Sequence, residues 1–152
     1  MASAFEREQL VRFGHCDPAG IVFYPRYFEM LNELVEDWFA QLGAGLDVLI
    51  GQRRLGLPTA QLDTRFLRVS RQGDRLVQRI RIERLGGSSL RLQVSFDGDD
   101  GPRVAFAQVL VCTALDTHRP QPWPDDLRVA LARALAAQDA QDVQEAQQET
   151  TP

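Results

Sequence analysis

The stretch His15-Cys16-Asp17-Pro18-Ala19-Gly20-Ile21-Val22-Phe23-Tyr24-Pro25 holds the residues best suited to chemistry. Asp17 is a carboxylate that can attack a carbonyl or deprotonate water. It sits in a Gly- and Pro-containing loop just ahead of the longest helical pattern in the chain. A helix N-terminus offers unpaired N–H groups and the positive end of the helix dipole. An acid held opposite such donors suits acyl transfer, in which negative charge develops on a carbonyl oxygen. Gly20 lets the backbone take φ > 0 or pass close to a substrate. An Asp ahead of Pro is also a common turn former, so the residue has a purely structural use as well. His15 and Cys16 raise a Cys–His nucleophile, but neighbouring strand residues point to opposite faces and no orienting acid stands nearby. Cys16 reads better as a small packed residue, and His118, beside Pro120, as a surface loop residue.

The elements that must position this loop follow from hydrophobic periodicity. Phe5 to Phe13 alternates in part and reads as a strand entering Gly14 and the loop. From Pro25 to about Leu42 the period is helical. Tyr27, Leu31, Leu34, Trp38 and Leu42 fall on one line, flanked by Phe28, Met30, Val35 and Phe39. Pro25 suits a first helical turn and Gly43 a C-terminal stop. The apolar stripe spans roughly half the helix circumference, more than one sheet contact needs. A short helix or turn is expected over Gly45 to Gln52. Strands follow at Thr59–Val69, Arg75–Leu85, Ser89–Asp97 and Val104–Leu115, the third with strict alternation of Leu90, Leu92, Val94 and Phe96. The short turn-like links between them predict an antiparallel meander. An Ala-rich helix is expected from Asp125 to about Ala137, and residues 138–152, polar and without a core pattern, are expected to be disordered.

One strand, one long helix and about four more strands give an α+β domain over residues 1–137, with the sheet packed on the helix. The far face of Val104–Leu115 is also apolar, and burying it predicts a homo-oligomer. The 152 residues suffice for one domain with a proper core, and 44% apolar with 25% charged residues is ordinary globular composition. All seventeen basic residues are arginine and the net charge is −4. This offers no broad basic face for nucleic acid or membrane. Two cysteines without CxxC spacing or a surrounding set of His ligands predict neither a metal site nor a disulfide framework, and fit a reducing compartment. No export signal or membrane span is apparent, so a cytoplasmic location is expected.

The run Val11-Arg12-Phe13-Gly14-His15-Cys16-Asp17-Pro18-Ala19-Gly20-Ile21-Val22-Phe23-Tyr24-Pro25-Arg26-Tyr27 resembles the signature of the hotdog-fold acyl-CoA thioesterases, most of all the 4-hydroxybenzoyl-CoA thioesterase group. The resemblance extends more weakly to Leu115. It implies a hotdog fold, a sheet of about five antiparallel strands wrapped around one central helix. It implies hydrolysis of an acyl- or aryl-CoA thioester to the free acid and coenzyme A, with no cofactor, since coenzyme A belongs to the substrate. Asp17 matches the catalytic carboxylate, as nucleophile or as general base on water. Tyr24 matches the residue whose backbone N–H polarises the thioester carbonyl. Gly20, Ile21, Val22, Phe23, Asn32 and Thr59 fall where the substrate would lie. A dimer or tetramer with sites between subunits is also implied.

This chain departs from the 4-hydroxybenzoyl-CoA enzyme at two places. Asn32 stands where that enzyme has an acid against the ring hydroxyl; an amide donates and accepts but carries no charge. The turn that would hold coenzyme A phosphates is Gly86-Gly87-Ser88-Ser89, leaving Arg84, Ser88, Ser89 and Arg91 as the expected contacts, with Arg65 and Arg68 as further arginines. Two other functions fit the same fold. One is a thioesterase acting on acyl carrier protein; the other is a non-catalytic acyl-CoA-binding or envelope-associated interaction protein. A hydratase on this fold would need a His base, and none is placed for it.

Overall fold

A sheet of five antiparallel strands folds against one long helix in the computed structural model, which describes residues 1–150. The strands are β1 (Phe5–Leu10), β3 (Thr59–Phe66), β4 (Arg75–Leu85), β5 (Ser89–Gly98) and β6 (Gly101–Val111), in spatial order β1-β4-β5-β6-β3. The helix α1 spans Tyr24–Gln41, as the apolar line predicts, with Pro25 in its first turn. Gly43 at φ +82° ends it, taking a left-handed conformation that a side chain would oppose. The short helix α2 (Leu46–Gly51) follows. A smaller sheet of β2 (Leu55–Gly56), β7 (Thr113–Ala114) and β8 (Arg119–Pro120) closes one end.

The α+β hotdog expectation is met. Tyr27, Met30, Leu31, Leu34, Val35, Trp38 and Phe39 of α1 are all buried, in one core with Leu76, Ile80, Ile82, Leu90, Leu92, Val94, Phe96, Val104, Phe106 and Leu110 of the sheet. Each such side chain contributes roughly 1.5–3 kcal/mol. Packing, not helix propensity, therefore holds α1 in place.

The simple meander is corrected. β4, β5 and β6 pair in sequence, but β3 pairs with β6 and β1 with β4. The segment from Leu67 to Asp74 is not a hairpin turn; it crosses the end of the sheet. Leu67 N–H bonds Arg103 O, Gly73 N–H bonds Val11 O, and Val11 N–H bonds Asp74 O. Ser70, wholly buried, sits at its centre. β3 is left at an edge, exposed along almost its whole length.

The C-terminal expectation is corrected too. The helix α3 runs from Asp125 to Glu149 without a break near Ala137. The last two residues of the expected tail lie outside the described residues. The reason is polar. β1 pairs with β4 only from Arg75 to Ile80, leaving the edge at Ile82 open. The buried Gln138 fills it: its Nε2 donates to Ile82 O and its Oε1 accepts the Ile82 N–H, both at 2.9 Å. Four residues on, Asp142 pairs with Arg81 at 2.8 Å and accepts the Ala2 N–H. Among the described residues no helix is long and apolar enough to cross a membrane.

Replacing Gln138 with Ala strands both buried backbone groups of Ile82. The expected loss is about 2–4 kcal/mol of unfolding free energy, measured by urea titration. A change within error would show that α3 is merely laid against the sheet.

Candidate active site

The loop between β1 and α1 is pinched at its neck. A single 3-10 turn, Phe13–His15, leads in. Cys16 and Val22 form an isolated antiparallel bridge, with Asp17 N–H bonding Ile21 O at 3.0 Å. Inside the loop Gly20 N–H bonds Asp17 O at 2.9 Å, and Gly20 takes φ +79°, the left-handed region that its lack of a Cβ permits. Asp17 Oδ1 accepts the Ala19 N–H at 2.8 Å. Asp17 therefore does make the turn that an Asp ahead of Pro suggests. One carboxylate oxygen suffices for that, and the other is available to a ligand. Asp17 lines a cleft of about 390 Å³ with Phe13, Cys16, Pro18, Gly20 and Gln72.

On the other side of the loop the helix begins, and its free donors can be accounted for one by one. The first four N–H positions of a helix lack intrahelical partners. Phe23 N–H is taken by His15 O and Arg26 N–H by Phe23 O, both at 2.9 Å. Pro25 has no N–H. Tyr24 N–H alone remains, donating to no group among the described residues. The positive end of α1 is thereby presented through a single open donor.

Tyr24 also lines an apolar cleft of about 280 Å³, with Ile21, Val22, Tyr27, Phe66 and Ser70. Its walls are aromatic: the Tyr24 and Phe66 ring centroids are 6.2 Å apart at 85°, Tyr27 and Phe66 are also 6.2 Å apart, and Phe28 reaches both Phe66 and Phe106. The Phe66 contribution, from the far edge strand, is not visible in sequence spacing. Tyr24, Tyr27 and Phe28 at helical intervals were the available signal.

A buried junction ties this cleft to the loop. Val22 N–H bonds Ser70 O at 2.9 Å. The Tyr27 hydroxyl lies against the Ser70 hydroxyl; burial raises the Tyr27 phenol and Ser70 opposes it. Arg103, 7% exposed, donates to Val69 O at 2.9 Å, Ser70 Oγ at 3.2 Å, Asp74 at 2.9 Å and Asp100 at 2.8 Å. The Arg71 N–H and the Arg103 guanidinium hold the Asp74 carboxyl below the usual carboxylate range.

The remaining expected residues lie further off. Ile21 and Val22 line the aromatic cleft and Gly20 the Asp17 cleft. Phe23 is exposed, its ring 5.6 Å from that of Tyr24. Asn32 is exposed on α1. Thr59 Oγ1 accepts from Gln108 Nε2 at 3.0 Å. Neither Asn32 nor Thr59 lines a cleft with Asp17. Arg84 and Arg91 face each other across β4 and β5, beside the Gly86–Ser89 turn. That turn is held by the C-terminal segment: Arg128 donates to Gly86 O, Trp123 N–H to Gly87 O and Trp123 Nε1 to Ser89 O. Arg128 thus joins the expected arginines there. Cys16 and Cys112 are both free, and His15 bonds the Arg12 backbone and not Cys16.

Arg103→Met keeps the bulk and removes the hydrogen bonds. Unfolding free energy is expected to fall by about 2–4 kcal/mol in urea titration. Asp74, with its pKa lowered by folding, contributes stability above its unfolded value near ~3.9, lost as pH falls through the lowered one. The variant is therefore expected to lose less stability below pH ~4 than the wild type does. An equally steep acid loss would place the acid sensitivity elsewhere.

Comparisons with known proteins identify the family. A model of the thioesterase-like superfamily matches residues 11–131. The 1,4-dihydroxy-2-naphthoyl-CoA hydrolase of Thermosynechococcus vestitus is 33% identical over 128 residues, 84% of this chain and 88% of that one. The 4-hydroxybenzoyl-CoA thioesterase of Pseudomonas sp. strain CBS-3 is 40% identical, but over only 43 residues, 28% of this chain and 30% of that one. The structure of a gentisyl-coenzyme A thioesterase superposes with a TM-score of 0.75 at 25% identity, covering 82% of this chain and 99% of the other. The similarity to the 4-hydroxybenzoyl-CoA enzyme is thus confined to a short stretch, whereas that to the naphthoyl-CoA hydrolase runs along most of the chain. On these grounds the chain belongs to the thioesterase-like superfamily.

Proposed function

We propose that this chain is an acyl-CoA thioesterase that hydrolyses aryl-CoA thioesters, of the hydroxylated benzoyl or naphthoyl kind, to the free acid and coenzyme A. The observation that carries the reading is the single open N–H of Tyr24 beside an aromatic cleft, with Asp17 on the same pinched loop. The similarity to a naphthoyl-CoA hydrolase along most of the chain and the fold shared with a gentisyl-CoA thioesterase support the aryl group.

In this reading the thioester oxygen accepts from Tyr24 N–H. One such donor is worth about 3 kcal/mol of barrier, more when aligned with a helix dipole. The free oxygen of Asp17 then acts in one of two ways. As a nucleophile it forms an acyl–carboxylate anhydride and expels the CoA thiolate, and water later cleaves the anhydride. As a base it takes a proton from water, whose oxygen attacks the carbonyl carbon; the tetrahedral intermediate collapses with loss of thiolate, which is protonated. The aryl group lies against Tyr24, Tyr27 and Phe66. The nucleotide end of coenzyme A is assigned to Arg84, Ser88, Ser89, Arg91 and Arg128 around the Gly86 turn.

We also assign a homo-oligomer. β3 is an edge strand exposed along almost its whole length, with Leu62, Phe66, Leu67 and Val69 all exposed on it or just beyond it. Ala105, Ala107, Val109 and Val111 on the outer face of β6 are only half-buried. Such surfaces favour a second copy. A monomer in light scattering at micromolar concentration would count against this.

Asp17→Asn retains the Oδ1 acceptor for Ala19 N–H, so unfolding free energy is expected to stay within ~0.5 kcal/mol of wild type. Turnover of benzoyl-CoA is expected to fall about 10²–10⁴-fold, read by thiol release. Full activity in this variant would remove Asp17 from the mechanism. A panel of benzoyl, hydroxybenzoyl, naphthoyl, phenylacetyl and straight-chain CoA esters, with a pantetheine-truncated ester, tests the substrate class. Preference for aryl esters is expected; tight binding without thiol release would overturn the enzymatic reading.

A further inference from the structure

His15 uses three of its own atoms to close the neck of the loop. Its N–H donates to Arg12 O at 3.0 Å, its Nδ1 accepts the Arg12 N–H at 2.9 Å, and its carbonyl accepts the Phe23 N–H at 2.9 Å. A ring nitrogen that accepts a backbone N–H must be unprotonated, so the neutral ring carries its proton on Nε2. The third bond matters for the site. By taking the Phe23 N–H it leaves Tyr24 as the open donor of α1 and sets the direction in which that donor points.

We propose that His15 is a positioning residue for the thioester site: its neutral imidazole locks the Arg12–His15 turn, and through its own carbonyl fixes the start of α1 at Phe23 and Tyr24. An imidazolium has no lone pair on Nδ1 and would place two N–H groups head to head. Acid therefore opens the turn and releases the neck. The kinetic consequence rests on the thioesterase reading; the hydrogen-bond arrangement does not.

The surroundings of the ring keep it neutral at pH 7. Arg26, Glu29 and Glu33 face it from α1, and Arg12 from its own turn. Partial burial lowers its pKa below the usual 6.5, aided by Arg12 and Arg26 and opposed by Glu33 and Glu29. The accepting form is thus present above the lowered value and is lost as pH falls through it. The switch lies below pH 6.5, within the range that an ordinary histidine reaches.

The full-length protein supplies the test. Benzoyl-CoA hydrolysis is followed from pH 7.5 to 5 in wild type, His15→Asn and His15→Ala, while ¹⁵N-labelled protein reports the Arg12 and Phe23 amides. Asn keeps an acceptor near the Nδ1 position and does not titrate. Wild-type kcat is expected to fall about tenfold across the acid range, in step with the Arg12 amide and the His15 ring signal. His15→Asn is expected to stay within about threefold of wild type at pH 7.5 and to lack that acid limb. His15→Ala is expected to lose about tenfold in kcat at pH 7.5 with KM within about twofold. An acid limb in His15→Asn matching that of wild type, or an Arg12 amide indifferent to the His15 titration, would overturn the proposal. Should wild type release no thiol from any ester, the thioesterase reading fails, and the amide titration still decides whether His15 holds the neck.

Discussion

The hydrogen bonds from Val22 N–H to Ser70 O and from Phe23 N–H to His15 O, both 2.9 Å, determine where α1 starts and how the loop before it is shaped. One reaches the crossover at the end of the sheet, and the other returns to the turn after β1. Between them the short loop carries Asp17, and the helix terminus at Tyr24 follows it, each lining its own cleft. Pro25 removes a competing donor, and Phe23 O absorbs the Arg26 N–H. The helix dipole is therefore offered at one N–H, and a weak general property of helix ends becomes a directed one. The buried face of α1 supplies the rigidity. Trp38, Phe39 and Leu34 are wholly buried in the sheet, so the N-terminus cannot shift without disturbing the core.

The parts legible in the sequence were those with a local cause. α1 declares itself by apolar spacing, Pro25 and Gly43, and β4, β5 and β6 by alternation and short Gly turns. The loop declares itself by a run of unusual residues. Strand order was not legible between β3 and β4, because Ser70-Arg71-Gln72-Gly73 looks like a hairpin turn. What makes it a crossover is Arg103, which lies thirty residues away and is buried by its partners rather than by its type. The far half of α3 was illegible for a similar reason. Its anchors are Gln138 on the open edge of β4 and Asp142 on Arg81, and a hydrophobic pattern does not register hydrogen bonds and ion pairs.

The candidate site was legible in its chemistry and less so in its walls. Asp17 and Gly20 line one cleft and Tyr24 another, at the two ends of the loop that the motif marks. The aromatic cleft needs Phe66, which reaches Tyr24 and Tyr27 only because β3 lies beside β6. Asn32 and Thr59 are on the exposed flank of α1 and at the start of the edge strand, away from both clefts. In the homo-oligomer proposed above those surfaces would meet a neighbour, which would bring further residues to them. Arg128 at the Gly86 turn is a further case: a residue of the last helix holds, through Gly86 O, the turn to which the nucleotide end of coenzyme A is assigned above as a proposal.

The proposed chemistry depends on Tyr24 N–H as the donor to the thioester oxygen. It is tested most directly by following backbone amides while a benzoyl-CoA ketone analogue, with the thioester sulfur replaced by a methylene, is titrated into ¹⁵N-labelled protein. The Tyr24 amide proton is expected to move downfield as it gains an acceptor, while those of Phe23 and Arg26, already bonded to His15 O and Phe23 O, move little. Saturable binding that leaves Tyr24 unmoved and shifts its neighbours instead would contradict it.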